Sequence, residues 1–148
     1  MERAFHRSGR LIGLILTIDT FAWAEMIRGS PLANQAREAV EGADRCLTPS
    51  IVLAEVASLC VKNGYPDRTV REELMAVREA SEIIPIDEWI AIAAAHSTEE
   101  LRRSARERKL PLPGLADGLV LSTARKFGSR LLTGDPHFLP CPETLWLA

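Results

Sequence analysis

The stretch LIGLILTIDT, residues 11–20, decides how the rest of the chain is read. Its apolar run, residues 11–18, is too short for a typical helix and rich in branched side chains, as expected of a strand buried on both faces. Such a strand needs a covering layer on each side. The chain then changes character at Asp19, an acid set where the strand ends.

Downstream, helical and strand patterns alternate. A helix is expected over residues 20–28, stopped by Gly29 and Pro31, and a second over LANQAREAVEG, residues 32–42. RCLT, residues 45–48, is a short strand. Thr48-Pro49 has the form of a helix start, a capping hydroxyl followed by proline at the first helical position, and opens SIVLAEVASLCVKNG, residues 50–64. Another helix follows Pro66-Asp67 to about residue 79, and EIIPI, residues 82–86, is a strand. A long helical stretch then spans residues 87–109, with a break expected near Ser97-Thr98. LPLPG, residues 110–114, is a linker. The last helix, residues 115–127, closes at Gly128 and leads to the strands RLLT (130–133) and TLWL (144–147). Four or five short strands separated by helices define the expected class: α/β, a three-layer α/β/α sandwich around a central parallel sheet.

Upstream, residues 1–10 are read as an N-terminal extension to a single domain, residues 11–148. Arg3, Arg7 and Arg10 before an apolar run, with Ala22-Trp23-Ala24 after it, imitate a secretory signal. The run is short and ends in an acid, and Phe21 and Trp23 crowd the would-be cleavage point, so secretion is disfavoured. No segment approaches the roughly 18 apolar residues of a membrane span. Cys46, Cys60 and Cys141 form no C-x-x-C pair, which suggests neither a disulfide framework nor a zinc site, and the cytoplasm is the expected compartment. Cys46 and Cys60 read as core residues. With 18 Lys+Arg against 20 Asp+Glu, the net charge of -2 makes no electrostatic case for nucleic-acid binding by itself.

In parallel α/β sheets, ligands bind beyond the carboxyl ends of the strands. Asp19 follows the first strand directly, and Asp135 comes two residues after RLLT, on the same edge. A helix leaving a strand begins at that edge, which places Glu55 in the upper part of its helix. A helix entering a strand runs antiparallel to it, so the first turn that carries Asp117 lies there too. Carboxylates from four distant segments can thus converge on one cleft. Two of them about 5 Å apart repel by roughly 3 kcal/mol at an effective dielectric near 20, so the cluster must protonate, spread apart or bind a cation. An all-oxygen ligand set favours Mg²⁺ or Mn²⁺ over zinc.

TIDTFAWAEMIRGSP (17–31), TPSIVLAEVASL (48–59), LADGLVLSTARKFG (115–128) and LLTGDPHF (131–138) resemble, in order and spacing, the four acidic motifs of PIN-domain ribonucleases, most closely the VapC-like toxins of bacterial and archaeal toxin-antitoxin pairs. The resemblance spans about residues 14–147. It implies a metal-dependent endoribonuclease in which Asp19, Asp117 and Asp135, with Glu55 directly or through water, are the catalytic acids that hold Mg²⁺ or Mn²⁺, and Thr133 is a supporting hydroxyl. It also implies an RNA substrate, a small antitoxin partner and a homodimer. The extension over residues 1–10 departs from such toxins, which usually begin almost at the first strand. Cleavage after Ala24 would delete Asp19, a further argument against secretion.

Plainer roles stand beside these. Asp19 can cap the following helix, Asp135 belongs to good turn chemistry, Asp117 suits a first helical turn, and Glu55 can face solvent. His137 reads as a capping or surface residue more readily than as a catalyst, and Trp23, Trp89 and Trp146 as core or interface residues. LRRSARERK, residues 101–109, is either a solvated helix face or a phosphate track built on Arg102, Arg103 and Arg106. Setting the four site acids aside leaves 16 acidic against 18 basic residues, so the charge does not exclude RNA. Rival functions are a catalytically silent PIN-like RNA- or protein-binding module and a phosphoaspartyl-transfer domain. Against the latter, no second aspartate stands two residues after Asp19, and no lysine follows a late strand.

Overall fold

The computed structural model describes residues 13–148. The expected extension and the first two residues of the opening strand lie outside the described residues. The strands are β1 (Ile15–Ile18), β2 (Arg45–Pro49), β3 (Glu82–Ile84), β4 (Arg130–Thr133) and β5 (Thr144–Trp146). The helices are α1 (Thr20–Arg28), α2 (Ala33–Gly42), α3 (Ser50–Lys62), α4 (Asp67–Ala80), α5 (Glu88–Glu107) and α6 (Leu115–Lys126), and a 3-10 turn covers Pro136–Phe138. All strand pairs are parallel, in the order β3-β2-β1-β4-β5. This is the three-layer α/β/α fold that the sequence pattern implies.

The opening strand is as hidden as its composition demands: Leu16, Thr17 and Ile18 are each fully buried. From β1 the chain steps outward through β2 to β3, by way of α1 and α2 and then α3 and α4. It returns through α5 and α6 to β4 on the other side of β1. Because parallel crossovers are right-handed, the reversal of direction places the first four helices on one face and α5 with α6 on the other. The larger core joins Leu16, Ile18, Val52, Val56, Leu131 and Phe138 among others, and a smaller one joins Leu47, Ile84, Ile90, Ala94 and Leu119. The strand order reverses between β1 and β4, which pair through Ile18 and Leu132, and ligands of such sheets bind beside that point.

Several local readings differ from the structure. Thr48 does not cap α3: it lies within β2, fully buried, and its hydroxyl accepts from Trp23 Nε1 (3.2 Å) and bonds Ser81 Oγ (2.7 Å), while Pro49 occupies the cap. Strand β2 therefore runs into α3 without a loop. Helix α5 is unbroken at Ser97-Thr98, because the Thr98 hydroxyl donates to the Ala94 carbonyl one turn back (2.7 Å) and Ser97 Oγ accepts from Ser122 of α6 (2.9 Å). Strand β3 stops at Ile84, leaving Ile86 exposed. Trp23 is a core residue, but Trp89 is 53% exposed, with the Lys126 ammonium 6.0 Å from its ring. Cys60 is buried, whereas Cys46 is only half-buried and packs against the core.

Candidate acidic active site

Asp19 is the first residue past β1 and the N-cap of α1, its Oδ1 accepting from Ala22 N (3.1 Å). Asp135 follows β4 after Gly134 and caps the 3-10 turn, its Oδ1 accepting from His137 N (2.9 Å). Asp117 sits in the first turn of α6 and reaches back to Gly114 N (3.3 Å). Glu55 lies in α3 and accepts from the Thr20 hydroxyl (2.8 Å). These four acids, with Thr20, Phe21 and Val120, line one cleft of about 110 Å³ at the carboxyl edge of the sheet. Three of the plainer roles, the cap, the turn and the first helical turn, are therefore real and coexist with a shared cleft; Glu55 is half-buried rather than solvent-facing.

The close approach at Asp135 depends on Gly134. A Cβ there would stand 2.4 Å from Cε1 of Phe21 and 3.1 Å from the Leu147 carbonyl. Thr133 links the two strands that bear aspartates: its buried hydroxyl donates to Asp19 Oδ2 (2.7 Å) and accepts from Asp135 N (3.0 Å). One hydroxyl thereby fixes the side chain of one acid and the backbone of the other.

The electrostatics follow from burial and crowding. Burial pushes the Asp19 carboxyl up to about 7, opposed by the Thr133 and Ala22 hydrogen bonds and assisted by the charges of Asp135 and Asp117. Burial, then Asp135 and Glu55, raise Asp117 to about 6 against the pull of His137 and of Gly114 N. His137 is the residue whose part sequence reasoning missed. Its Nδ1 faces Asp135 Oδ1 (2.7 Å) and its Nε2 faces the Pro111 carbonyl (2.6 Å). Both partners are acceptors, so only the protonated ring, with a donor on each nitrogen, satisfies both. Burial works against that charge, but the Pro111 carbonyl and the Asp135 carboxylate outweigh it and the histidine pKa is raised. The signal was its place two residues after Asp135, where a side chain can return to the acid.

Whether these residues suit a divalent cation turns on the donor set. No three His, Cys, Asp or Glu side chains among the described residues stand as a ready-made ligand group, and each acid accepts a hydrogen bond from a protein donor. Glu55 Oε2, Asp117 Oδ1 and Asp135 Oδ2 nevertheless accept no hydrogen bond among the described residues, which leaves free lone pairs on three acids whose charges oppose one another. An all-oxygen set with that electrostatic strain fits Mg²⁺ or Mn²⁺.

The basic cluster divides. Arg103 and Arg106 are exposed and donate no hydrogen bond among the described residues. Arg102 Nε instead donates to the Pro113 carbonyl (3.0 Å), so this guanidinium is turned onto the chain itself.

The chain is thus a parallel α/β/α domain with an acidic cleft at the point where the strand order reverses. The PIN domain profile matches residues 16–139, and the chain belongs to the PIN domain family. Solved structures share the fold. A toxin-antitoxin complex from Klebsiella pneumoniae is similar at 24% identity over 90% of this chain and 98% of that one, with a TM-score of 0.64. VapC20 of Mycobacterium tuberculosis, described as a sarcin-ricin loop cleaving toxin, is 18% identical over 83% of this chain and 92% of that one, with a TM-score of 0.65. FitAcB of Neisseria gonorrhoeae is 18% identical over 90% and 96%, with a TM-score of 0.65. No curated protein sequence matches the chain.

Proposed function

We propose that the protein is a metal-dependent endoribonuclease and the toxin of a toxin-antitoxin pair. The observation that carries this reading is the single cleft lined by Asp19, Glu55, Asp117 and Asp135 in a PIN domain. Mg²⁺ or Mn²⁺, held by Asp19, Asp117 and Asp135 with Glu55 directly or through water, would supply Lewis-acid polarisation of a phosphodiester and lower the pKa of the attacking water. The chain supplies position. Thr133 holds Asp19, Thr20 holds Glu55, and the charged His137 holds Asp135 while offsetting part of the acidic field. Attack in line on phosphorus expels a ribose oxygen and cuts the strand. Arg103 and Arg106, exposed on α5, contact backbone phosphates of the RNA.

Asp19 is a poor phosphoaspartyl nucleophile, being 4% exposed with both oxygens bonded to protein donors. The toxin assignment is supported by solved structures such as the Klebsiella complex and VapBC2 of Rickettsia felis bound to a DNA fragment from their promoter. The partners we propose are an RNA substrate, a small antitoxin and a second copy of the chain, in the cytoplasm. No helix among the described residues is long and apolar enough to cross a membrane.

The test is cleavage of a structured RNA with Mn²⁺ and with EDTA, by wild type and by Asp135→Asn. Metal-dependent cutting that Asp135→Asn reduces at least a hundredfold is expected. Full cleavage by Asp135→Asn would remove the assignment of this acid, and metal binding without cleavage would favour a silent binding module.

A further inference from the structure

Two peptide units at the rim of the cleft share one arrangement. The Pro113–Gly114 peptide accepts from Arg102 Nε at its carbonyl (3.0 Å) and donates its N–H to Asp117 Oδ2 (3.3 Å). The Pro136–His137 peptide accepts from Arg108 Nη1 at its carbonyl (2.7 Å) and donates its N–H to Asp135 Oδ1 (2.9 Å). In a planar trans peptide the carbonyl and the N–H point opposite ways, so a cation at one end and a carboxylate at the other act on the same dipole. Hydrogen bonds chained in this manner polarise and strengthen one another where solvent is partly excluded. In both cases the carbonyl belongs to a proline.

We propose that Arg102 and Arg108 are positioning residues, which hold the Asp117 and Asp135 carboxylates through one peptide unit each. The arginines that grip phosphate are then Arg103 and Arg106, which leave their guanidiniums in solvent. The linker between α5 and α6 takes part as well. Arg102 holds it at Pro113 and His137 holds it at Pro111, so the segment that carries Asp117 is fastened to the turn that carries Asp135. Because the pair of relays serves the acids, their consequence for metal rests on the proposed metal site. Their effect on the carboxylates themselves does not.

The test uses the full chain and four variants: Arg102→Met, Arg108→Met, Arg103→Met and Arg106→Met. Carboxyl ¹³C resonances of the metal-free protein read the relays directly. Arg102→Met should move the Asp117 signal and leave that of Asp135, and Arg108→Met should do the reverse. Mn²⁺ titration followed calorimetrically should show about tenfold weaker binding for these two variants, the scale on which outer partners of metal ligands act. Their RNA binding should keep the wild-type salt slope. Arg103→Met and Arg106→Met should each reduce that slope by about one while Mn²⁺ affinity stays unchanged. Unmoved aspartate resonances in Arg102→Met and Arg108→Met, or a salt slope that falls in those two alone, would overturn the proposal. Selective resonance shifts together with Mn²⁺ affinity that is the same in wild type and Asp117→Asn would uphold the relays and sink the metal site instead. If a methionine variant does not fold, Arg102→Lys and Arg108→Lys keep a donor and should give intermediate shifts.

Discussion

Asp19 caps a helix, closes a link to Thr133 and faces the acidic cleft, and these duties oppose each other energetically. Its folded-state pKa of about 7 lies above the ordinary 3.8, so the folded chain keeps a proton that the unfolded chain has released. The stability contributed by that proton is complete below pH 3.8 and is lost as pH rises through about 7. Asp117, raised to about 6, acts in the same direction. Urea unfolding in EDTA should therefore show Asp19→Asn gaining on wild type steadily between about pH 4 and pH 7, a window set by those two pKa values. A constant difference across that window would refute the burial of a charged Asp19. At Thr133, replacement by valine preserves shape but strips a partner from a buried carboxylate and from Asp135 N. The expected loss is about 1–3 kcal/mol, and an unchanged urea midpoint would mean that water substitutes for the hydroxyl.

At the scale of elements, the placement of Asp117 depends on how closely α6 packs on α5. Gly118 is the contact point: a Cβ there would lie 2.0 Å from Thr98 Oγ1 and 2.6 Å from the Ala94 carbonyl, which is backbone and cannot step aside. Gly118→Ala should cost about 1–3 kcal/mol or more, despite the better helix propensity of alanine, because the two helices must separate. Since Asp117 is the neighbouring residue, the same variant should also weaken Mn²⁺ binding. Differential melting with and without Mn²⁺ reads both effects. Wild-type stability in Gly118→Ala would show that the α5 and α6 packing has slack. The elements themselves were largely readable: the alternation of short apolar runs with helical patterns, the glycine stops and the proline linker follow from local sterics and periodicity. Where they misled, side chains found distant partners. Thr48 bonds Trp23 and Ser81 instead of capping, and Ser97 and Thr98 are absorbed by α6 and by their own helix.

For the whole molecule, the metal-free fold carries a cluster of opposed acids at the point where its strand order reverses, so ligand binding and stability should be linked. Mn²⁺ at a hundred times its dissociation constant should raise the unfolding free energy by about 2.7 kcal/mol, and Asp135→Asn should abolish most of that gain. An equal gain in Asp135→Asn would place the ion elsewhere. The exposed Ile86, Trp89 and Ile92 beside the edge strand β3 supply apolar surface of the kind that the proposed homodimer requires. Light scattering at micromolar concentration should give twice the chain mass of 16.3 kDa. A monomer would withdraw the dimer and leave the site unaffected.

By itself the sequence determined the sheet, its parallel sense and the edge on which Asp19, Glu55, Asp117 and Asp135 lie, because strand burial and helix polarity are local properties repeated along the chain. That these four acids would face one cleft was legible for the same reason. What only the tertiary structure decided is how each acid is held. Thr133 reaches Asp19 across 114 positions, Thr20 reaches Glu55 across 35, and His137 finds the Pro111 carbonyl across 26. The division of one basic run into Arg102, bound to the chain, and Arg103 and Arg106, left in solvent, was equally hidden. A hydrogen bond needs its partners within about 3 Å and in line, and that precision comes from the packing of β1, β4, α5 and α6, which no periodicity along the chain encodes.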